Sequence, residues 1–204
     1  MQQTLLLRRG LIVEYASIAW MTVECVVGIY SGLAVLSFAL LAFGSDSLVE
    51  LLSSFVVLQH LRHTLAGRGS SIIHSESKRA EYATTLLLLS LIPVIGLGAV
   101  YSFLSGIRPE ASLLGIAVAI AAVLFMPVLW YEKKTLGKAT DCLPLIIDAS
   151  ESATCFLMSA ALLAGLVVNY FMRIYWADYL ATVFILIFVA KEVSESIQSL
   201  KGVG

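Results

Sequence analysis

The chain has few charged residues for its length, and this scarcity excludes most soluble folds. Only 13% of its 204 residues are charged, 59% are apolar, and the mean hydropathy is +0.93. Such a composition is typical of a protein that crosses a membrane several times. The net charge of -1 carries little information, and nothing in the loops indicates binding to nucleic acid.

Cysteine is also scarce, and its spacing excludes a disulfide framework. Cys25, Cys142 and Cys155 have no paired spacing, and two of them lie in apolar stretches. We therefore expect reduced thiols. The sequence also lacks a cofactor motif and any arrangement of nucleophile, base and acid, so we expect neither enzymatic activity nor a bound cofactor.

Six apolar stretches are long enough to cross a bilayer, which takes about 20 mostly apolar residues. They lie at residues 11–30, 33–60, 82–104, 112–130, 145–170 and 176–193. We predict an all-α membrane protein in which residues 1–204 form one domain of six transmembrane helices. We expect the first stretch to be kept as a helix, because it has full spanning length and contains Glu14 and Glu24. We expect no soluble C-terminal domain, because the chain ends soon after the sixth stretch.

Basic residues are distributed unevenly between the two sides of this arrangement. The N-terminus, the 2–3 loop, the 4–5 loop and the C-terminus carry eleven Arg and Lys residues, and the other side carries only Arg108 and Arg173. Loops rich in Arg and Lys stay in the cytoplasm. We therefore predict a multi-pass protein of the cell membrane with both termini in the cytoplasm.

Acidic residues inside the second stretch indicate a functional site. A charged side chain at the centre of a bilayer costs about 2.5–3.5 kcal/mol, so such residues are rarely retained without a role. Asp46 and Glu50 are four residues apart, which places them on one face of a helix with Ser53 one turn on. Two carboxylates can then converge on one ion.

The fifth stretch repeats this spacing with Glu151 and Cys155, and Asp148 lies a turn before them. The second and fifth helices enter from opposite sides, and each pair begins well inside its span. Both pairs can therefore lie at one depth and supply four ligands suited to Zn²⁺, Co²⁺ or Cd²⁺. The alternative is that the carboxyls are protonated and join helices by hydrogen bonds, with Cys155 as a small buried apolar residue.

Other polar residues are candidates for supporting roles. Residues that could support the ligands or carry protons are Glu24, Ser53, Asp148 and Asp178. Glu24 could equally be a neutral group packed against a neighbouring helix, and Asp178 could cap the sixth helix or gate the site. The 2–3 connection contains His60, His63 and His74, which could capture a metal ion from the cytoplasm or simply be solvated.

Taken in order, these residues resemble the transmembrane domain of the cation diffusion facilitator family over nearly the whole chain. Residues 23–28 (VECVVG) and 43–50 (FGSDSLVE) are similar to the family patterns VExxxG and aDSlvD. Residues 147–155 (IDASESATC) are similar to ADxxHxxxD, with Glu151 at the histidine position and Cys155 at the last aspartate position. Residues 176–178 (WAD) resemble the aDP pattern that begins the sixth helix.

The resemblance implies a divalent-metal exporter, closest to short transporters of the cobalt-zinc-cadmium type. It implies Asp46, Glu50, Glu151 and Cys155 as metal ligands. It also implies export of Zn²⁺, or of Co²⁺, Cd²⁺, Fe²⁺ or Mn²⁺, in exchange for protons by alternating access, and a homodimer in the lipid bilayer. The alternatives are a divalent-cation channel and a membrane protein that senses metal or serves as a partner without transporting it.

Overall fold

The computed structural model describes residues 2–66 and 70–202, with side chains at residues 3–66 and 82–198. The described chain forms α1 (Gln2–Val35), α2 (Phe38–Leu65), α3 (Ser70–Leu104), α4 (Leu113–Thr140), α5 (Leu143–Met172) and α6 (Trp176–Gly202), and no strand is found in these ranges. The first five helices are long and apolar enough to cross a membrane. The apolar stretch of α6 also contains Asp178, Lys191 and Glu192. The predicted all-helical membrane fold is confirmed.

Several helices are longer than the apolar stretches that predict them, because helix-forming residues continue past the apolar run. The fourth stretch is predicted to end at residue 130, but α4 continues to Thr140 through ten residues that include Glu132, three lysines and Leu136, residue types that favour helix. It ends at Asp141, whose backbone is left-handed with φ 57°. Lys133 therefore lies within a helix rather than in a loop.

The helices form a ring in the order α1, α2, α3, α6, α5, α4, and α2 also packs across the ring against α5 and α6. Helices next to one another in sequence run in opposite directions. The spatial neighbours α3 and α6 are also antiparallel, since Thr85 contacts Ser196 and Ser102 contacts Tyr179. As a result α2 and α6 run in the same direction, and α2 is the helix from which side chains reach most of the bundle.

Two glycines bring α1 and α2 into backbone contact. A Cβ atom added at Gly44 would lie 2.6 Å from the backbone nitrogen of Ile29, and one added at Gly28 would lie 2.8 Å from the Cα of Gly44. Small residues permit this kind of close approach between membrane helices. The contact holds the start of α2 against α1, and it fixes the face of α2 that carries Asp46 and Glu50 toward the inside of the bundle.

Candidate metal-binding site

Three carboxylates from two helices meet inside the bundle. Asp46 and Glu50 in α2 and Glu192 in α6 each offer one oxygen atom, and these atoms all lie within 4.8 Å of one another. Asp46 is fully buried and Glu50 is 3% exposed, whereas Glu192 is partly buried. Within residues 3–66 and 82–198, no other group of three or more potential metal ligands lies this close together. We refer to these three residues as the acidic trio.

Helix geometry explains why the trio converges. Asp46 and Glu50 are one turn apart on the inner face of α2. Side chains in a helix lean toward its N-terminus, and α2 and α6 run in the same direction. The longer side chains of Glu50 and Glu192 therefore both reach toward Asp46, although their backbones lie further toward the C-terminal ends of α2 and α6.

Five of the six carboxylate oxygens of the trio have no hydrogen-bond donor among the described residues. Both carboxylate oxygens of Asp46, both of Glu50 and one of Glu192 accept no hydrogen bond from the described part of the chain. Buried polar groups in proteins are hydrogen-bonded in roughly 90% or more of cases. Three neighbouring acidic groups with so few donors need either protons or a cation between them. Carboxylate oxygens are ligands for Zn²⁺ and other divalent metals, so the trio is a chemically suitable site for such an ion.

The predicted ligands of α5 lie beside the trio. Ser53 donates a hydrogen bond of 3.3 Å to one oxygen of Glu151, and the second oxygen of Glu151 has no donor among the described residues. Cys155 is fully buried and interacts electrostatically with Glu50 and Asp46. Neither α5 residue belongs to the group within 4.8 Å. Of the four predicted ligands, Asp46 and Glu50 therefore lie together in the trio, and the assignment of all four as ligands remains a prediction.

Glu24 in α1 lies next to the trio, but its oxygens are engaged. The indole nitrogen of Trp20 donates to one oxygen at 2.6 Å, and Ser47 donates to the other at 3.4 Å. Ser47 is the residue after Asp46, so Glu24 is linked to α2, the helix that carries Asp46 and Glu50. This arrangement fits a supporting residue better than a metal ligand.

Asp148 belongs to a second buried cluster of charges. Lys133 in α4 places its ammonium nitrogen 2.6 Å from Oδ2 of Asp148 and 3.9 Å from Oε1 of Glu14, and all three side chains are buried. Ser54 in α2 donates a hydrogen bond of 3.2 Å to Oδ1 of Asp148. Asp148 is therefore engaged by a cation and a hydroxyl one turn before Glu151.

Asp178 lies at the other end of the bundle from this cluster. Ser37, the residue that caps the start of α2, donates a hydrogen bond to Asp178, which is 1% exposed. Asp178 precedes Glu192 by fourteen residues in α6, or about 21 Å of helix. It is too far away to share an ion with the trio, and it ties the start of α6 to the start of α2.

The histidines are not brought to the site. His60 and His63 are partly buried near the end of α2, and His60 follows Glu50 by about 15 Å of helix. His74 lies outside the residues whose side chains are described. A capture site at the cytoplasmic end is therefore still only a prediction.

The three thiols are free. Cys142 lies in the link between α4 and α5, where burial raises the pKa of its thiol. A protonated thiol is a poor metal ligand, because the thiolate is the form that binds. Cys155 interacts with Glu50 and Asp46 of the trio, and Cys25 is a buried residue of α1.

Sequence reasoning missed Glu192 as a member of the site and Lys133 as a buried residue. A signal for Glu192 was present, since the buried residues Ile185 and Val189 mark the inner face of α6 and Glu192 follows Val189 by three positions on that face. Lys133 was counted among cytoplasmic loop residues because the apolar stretch ends at residue 130. Periodicity around Met126, Leu129 and Leu136, which are all buried, would have placed it on the inner face of α4.

In a comparison with protein-family models, residues 15–200 match a family described as the cation efflux transmembrane domain. The matched range includes the acidic trio, both predicted ligands of α5 and the Lys133 cluster. No curated protein matches the chain.

Proposed function

The chain belongs to the cation efflux family, and we propose that the ion it exports is Zn²⁺ or a related divalent transition metal. Metal-cation efflux across a membrane follows from membership of the family, whose members are transporters rather than enzymes. The chain is accordingly an integral membrane protein that crosses the bilayer several times. The identity of the ion, the exchange for protons and the ligands are our proposal.

The observation that carries the proposal is the acidic trio. Three buried or partly buried carboxylates each place one oxygen within 4.8 Å of the others, and five of their six oxygens have no hydrogen-bond donor among the described residues. A divalent cation would neutralise most of their charge and satisfy their oxygens. We propose that Asp46, Glu50 and Glu192 bind the ion, and that Glu151 and Cys155 complete the site in a conformation in which α5 moves toward α2. A thiolate ligand favours Zn²⁺, Co²⁺ and Cd²⁺ over Mg²⁺ and Ca²⁺, and leaves Fe²⁺ and Mn²⁺ as weaker candidates.

Proton exchange follows from the charge of the same site. Several carboxylates crowded together in a region of low dielectric repel one another when they are all charged. In the absence of metal they would hold protons, and metal binding would release those protons. Alternating exposure of the site to the two sides of the membrane would then couple metal export to proton import.

The setting of the transporter is also proposed. The excess of Arg and Lys on one side favours cytoplasmic termini in the cell membrane. Large apolar side chains such as Leu97, Tyr101 and Phe171 are 70% exposed or more. Such exposed apolar side chains suit contact with lipid, and we propose that part of this surface forms a homodimer interface.

The test is reconstitution of the full chain in liposomes that contain a zinc-sensitive dye and a pH-sensitive dye. Zn²⁺ and H⁺ are followed together for the wild type, for Asp46→Ala and for the control Glu195→Gln, which removes an exposed carboxylate of α6. We expect opposed Zn²⁺ and H⁺ fluxes in the wild type and the control, and neither flux in Asp46→Ala.

Other outcomes would contradict specific parts of the proposal. Zn²⁺ flux that follows voltage without H⁺ movement would identify a channel. Metal binding without flux for any divalent ion would identify a sensor or partner subunit. Transport by Asp46→Ala at the wild-type rate would remove Asp46 from the site.

A further inference from the structure

The cluster of Glu14, Lys133 and Asp148 is a group of buried charges outside the acidic trio. The three residues come from α1, α4 and α5, and each has a relative exposure of 0%. Isolated buried ion pairs contribute little to stability, because removing the charges from water costs about as much as their attraction returns. Stability alone therefore does not explain why three charged side chains are retained inside this bundle.

The contact geometry is that of a cation held by carboxylates. The ammonium nitrogen of Lys133 lies 2.6 Å from Asp148 and 3.9 Å from Glu14. Neither oxygen of Glu14 has a hydrogen-bond partner within the described part of the chain. The ammonium thus lies between two acidic groups and is closer to Asp148 than to Glu14.

The groups around the ammonium also have the chemistry of a metal site. Glu14 and Asp148 offer carboxylate oxygens, and the second oxygen of Asp148 is fixed by the hydroxyl of Ser54. A hydrogen bond to the second oxygen is the usual way in which a ligating carboxylate is oriented. When both acidic groups are ionised, they carry one more charge than the ammonium, and a divalent ion in the same position would neutralise both.

The cluster is adjacent to the proposed transport site. Asp148 precedes Glu151 by one helical turn, and the serines that bind these two carboxylates, Ser54 and Ser53, are neighbours in α2. In the predicted topology the cluster therefore lies on the cytoplasmic side of Glu151.

We propose that Glu14 and Asp148 form a second divalent-cation site, and that the ammonium of Lys133 occupies it as a tethered ion. The lysine keeps a metal ion from binding in the cytoplasmic half of the bundle, so the chain holds one ion, at the acidic trio. The role of the lysine in transport rests on the proposed function. The existence of the site does not.

The test counts Zn²⁺ ions bound to the purified full chain in detergent, by equilibrium dialysis and elemental analysis. The background variant is Asp46→Asn/Glu50→Gln, which removes two ligands of the trio so that any bound ion belongs to the second site. Three changes are added separately to this background. Lys133→Met keeps roughly the length of the side chain without its charge, and Lys133→Arg keeps the charge. Lys133→Met/Asp148→Asn removes both the charge and a ligand.

We expect the Lys133→Met chain to bind one Zn²⁺ ion that neither the Lys133→Arg chain nor the Lys133→Met/Asp148→Asn chain binds. A folded Lys133→Met chain without bound Zn²⁺ would overturn the proposal and leave Lys133 as a purely structural ion-pair partner. If the Lys133→Met chain aggregates, it is purified again in the presence of Zn²⁺, and size-exclusion chromatography measures whether it is monodisperse. Recovery of a monodisperse protein with Zn²⁺ supports the proposal, because the metal replaces the lost charge, and aggregation with and without Zn²⁺ overturns it.

Failure of this proposal is distinguishable from failure of the proposed function. A wild-type chain that binds no Zn²⁺ and shows no flux contradicts the transport site, whatever the Lys133 variants do. A wild-type chain that binds and transports Zn²⁺, together with a folded Lys133→Met chain that gains no ion, contradicts only the second site.

Discussion

Glu192 in α6 and Asp46 in α2 face one another inside the bundle, with a carboxylate oxygen of each within 4.8 Å of the other and of Glu50. The pairing joins two helices that run in the same direction and are far apart in sequence. It adds a third acidic group to the two that the sequence of α2 predicts.

The first prediction concerns this third carboxylate. Glu192→Gln keeps the size of the side chain and removes its charge, so the cation at the trio loses one of three anionic ligands. We expect the apparent affinity for Zn²⁺ to fall by about 10- to 100-fold, the range seen even when groups that only orient a ligand are removed. The measurement is initial Zn²⁺ flux into proteoliposomes at a series of Zn²⁺ concentrations.

The matched control is Glu195→Gln, one turn further along α6, where the side chain is 61% exposed and pairs with Lys191. This change should leave the concentration dependence unaltered, because exposed ion pairs contribute little. Equal effects of the two variants would mean that Glu192 acts through the overall charge of α6 and not as a ligand.

The second prediction concerns the stability of the metal-free protein. The oxygens of Asp46 have no hydrogen-bond donor among the described residues and face two other carboxylates. Asp46→Asn removes one source of repulsion, so we expect the metal-free variant to unfold at the same temperature as the wild type or a higher one. Its stabilisation by Zn²⁺ should be lost.

Thermal unfolding in detergent, with and without Zn²⁺, measures both parts of this prediction. A site that binds only the folded state adds about 2.7 kcal/mol at a ligand concentration of 100 times the Kd, and the wild type should show a gain of this order. A metal-free Asp46→Asn protein that is clearly less stable than the wild type would instead assign Asp46 a structural role.

The sequence predicted the part of the site that depends on one helix at a time. The four-residue spacing of Asp46 and Glu50 places both on one face of α2 in any helix, and the structure shows both facing inward. The number and order of the helices also follow from the apolar stretches. A stretch that crosses a bilayer must satisfy its own backbone hydrogen bonds, so each stretch forms a helix.

The parts that depend on packing between helices could not be predicted in this way. Glu192 reaches the trio because α2 crosses the ring to contact α6, which no local pattern encodes. Lys133 is buried because α4 continues past its apolar stretch and brings the lysine against Asp148. In both cases the charge pattern indicated solvent or a membrane surface, and a partner on another helix determined the position.

The third prediction concerns the contact between α1 and α2. A Cβ atom at position 44 would lie 2.6 Å from the backbone nitrogen of Ile29, so Gly44→Ala must push the two helices apart. We expect a loss of about 1–3 kcal/mol in stability, the usual cost of overpacking, and a decrease in Zn²⁺ affinity because Asp46 moves with the helix. Thermal unfolding and Zn²⁺ binding on the same preparation measure the two effects.

Gly96→Ala is the control for that substitution, because a Cβ atom there meets only the side chain of Leu186, at an ordinary 3.7 Å. It carries the same change in helix propensity without the clash. If Gly44→Ala and Gly96→Ala behaved alike, the close approach of Gly28 and Gly44 would not be what holds α2 in place.

The fourth prediction concerns the thiol of Cys155, which is fully buried and interacts electrostatically with Glu50. If α5 closes on the trio during transport, the thiolate becomes a ligand and favours soft metals. Cys155→Asp replaces sulfur by oxygen, so we expect the preference for Cd²⁺ over Zn²⁺ to fall by about tenfold, equivalent to about 1.4 kcal/mol. Competition between the two metals in the liposome assay measures this preference, with Cys25→Ser as a control at a thiol on α1. An unchanged ranking in Cys155→Asp would exclude the thiol from the set of ligands and leave the carboxylates as the only groups that select the metal.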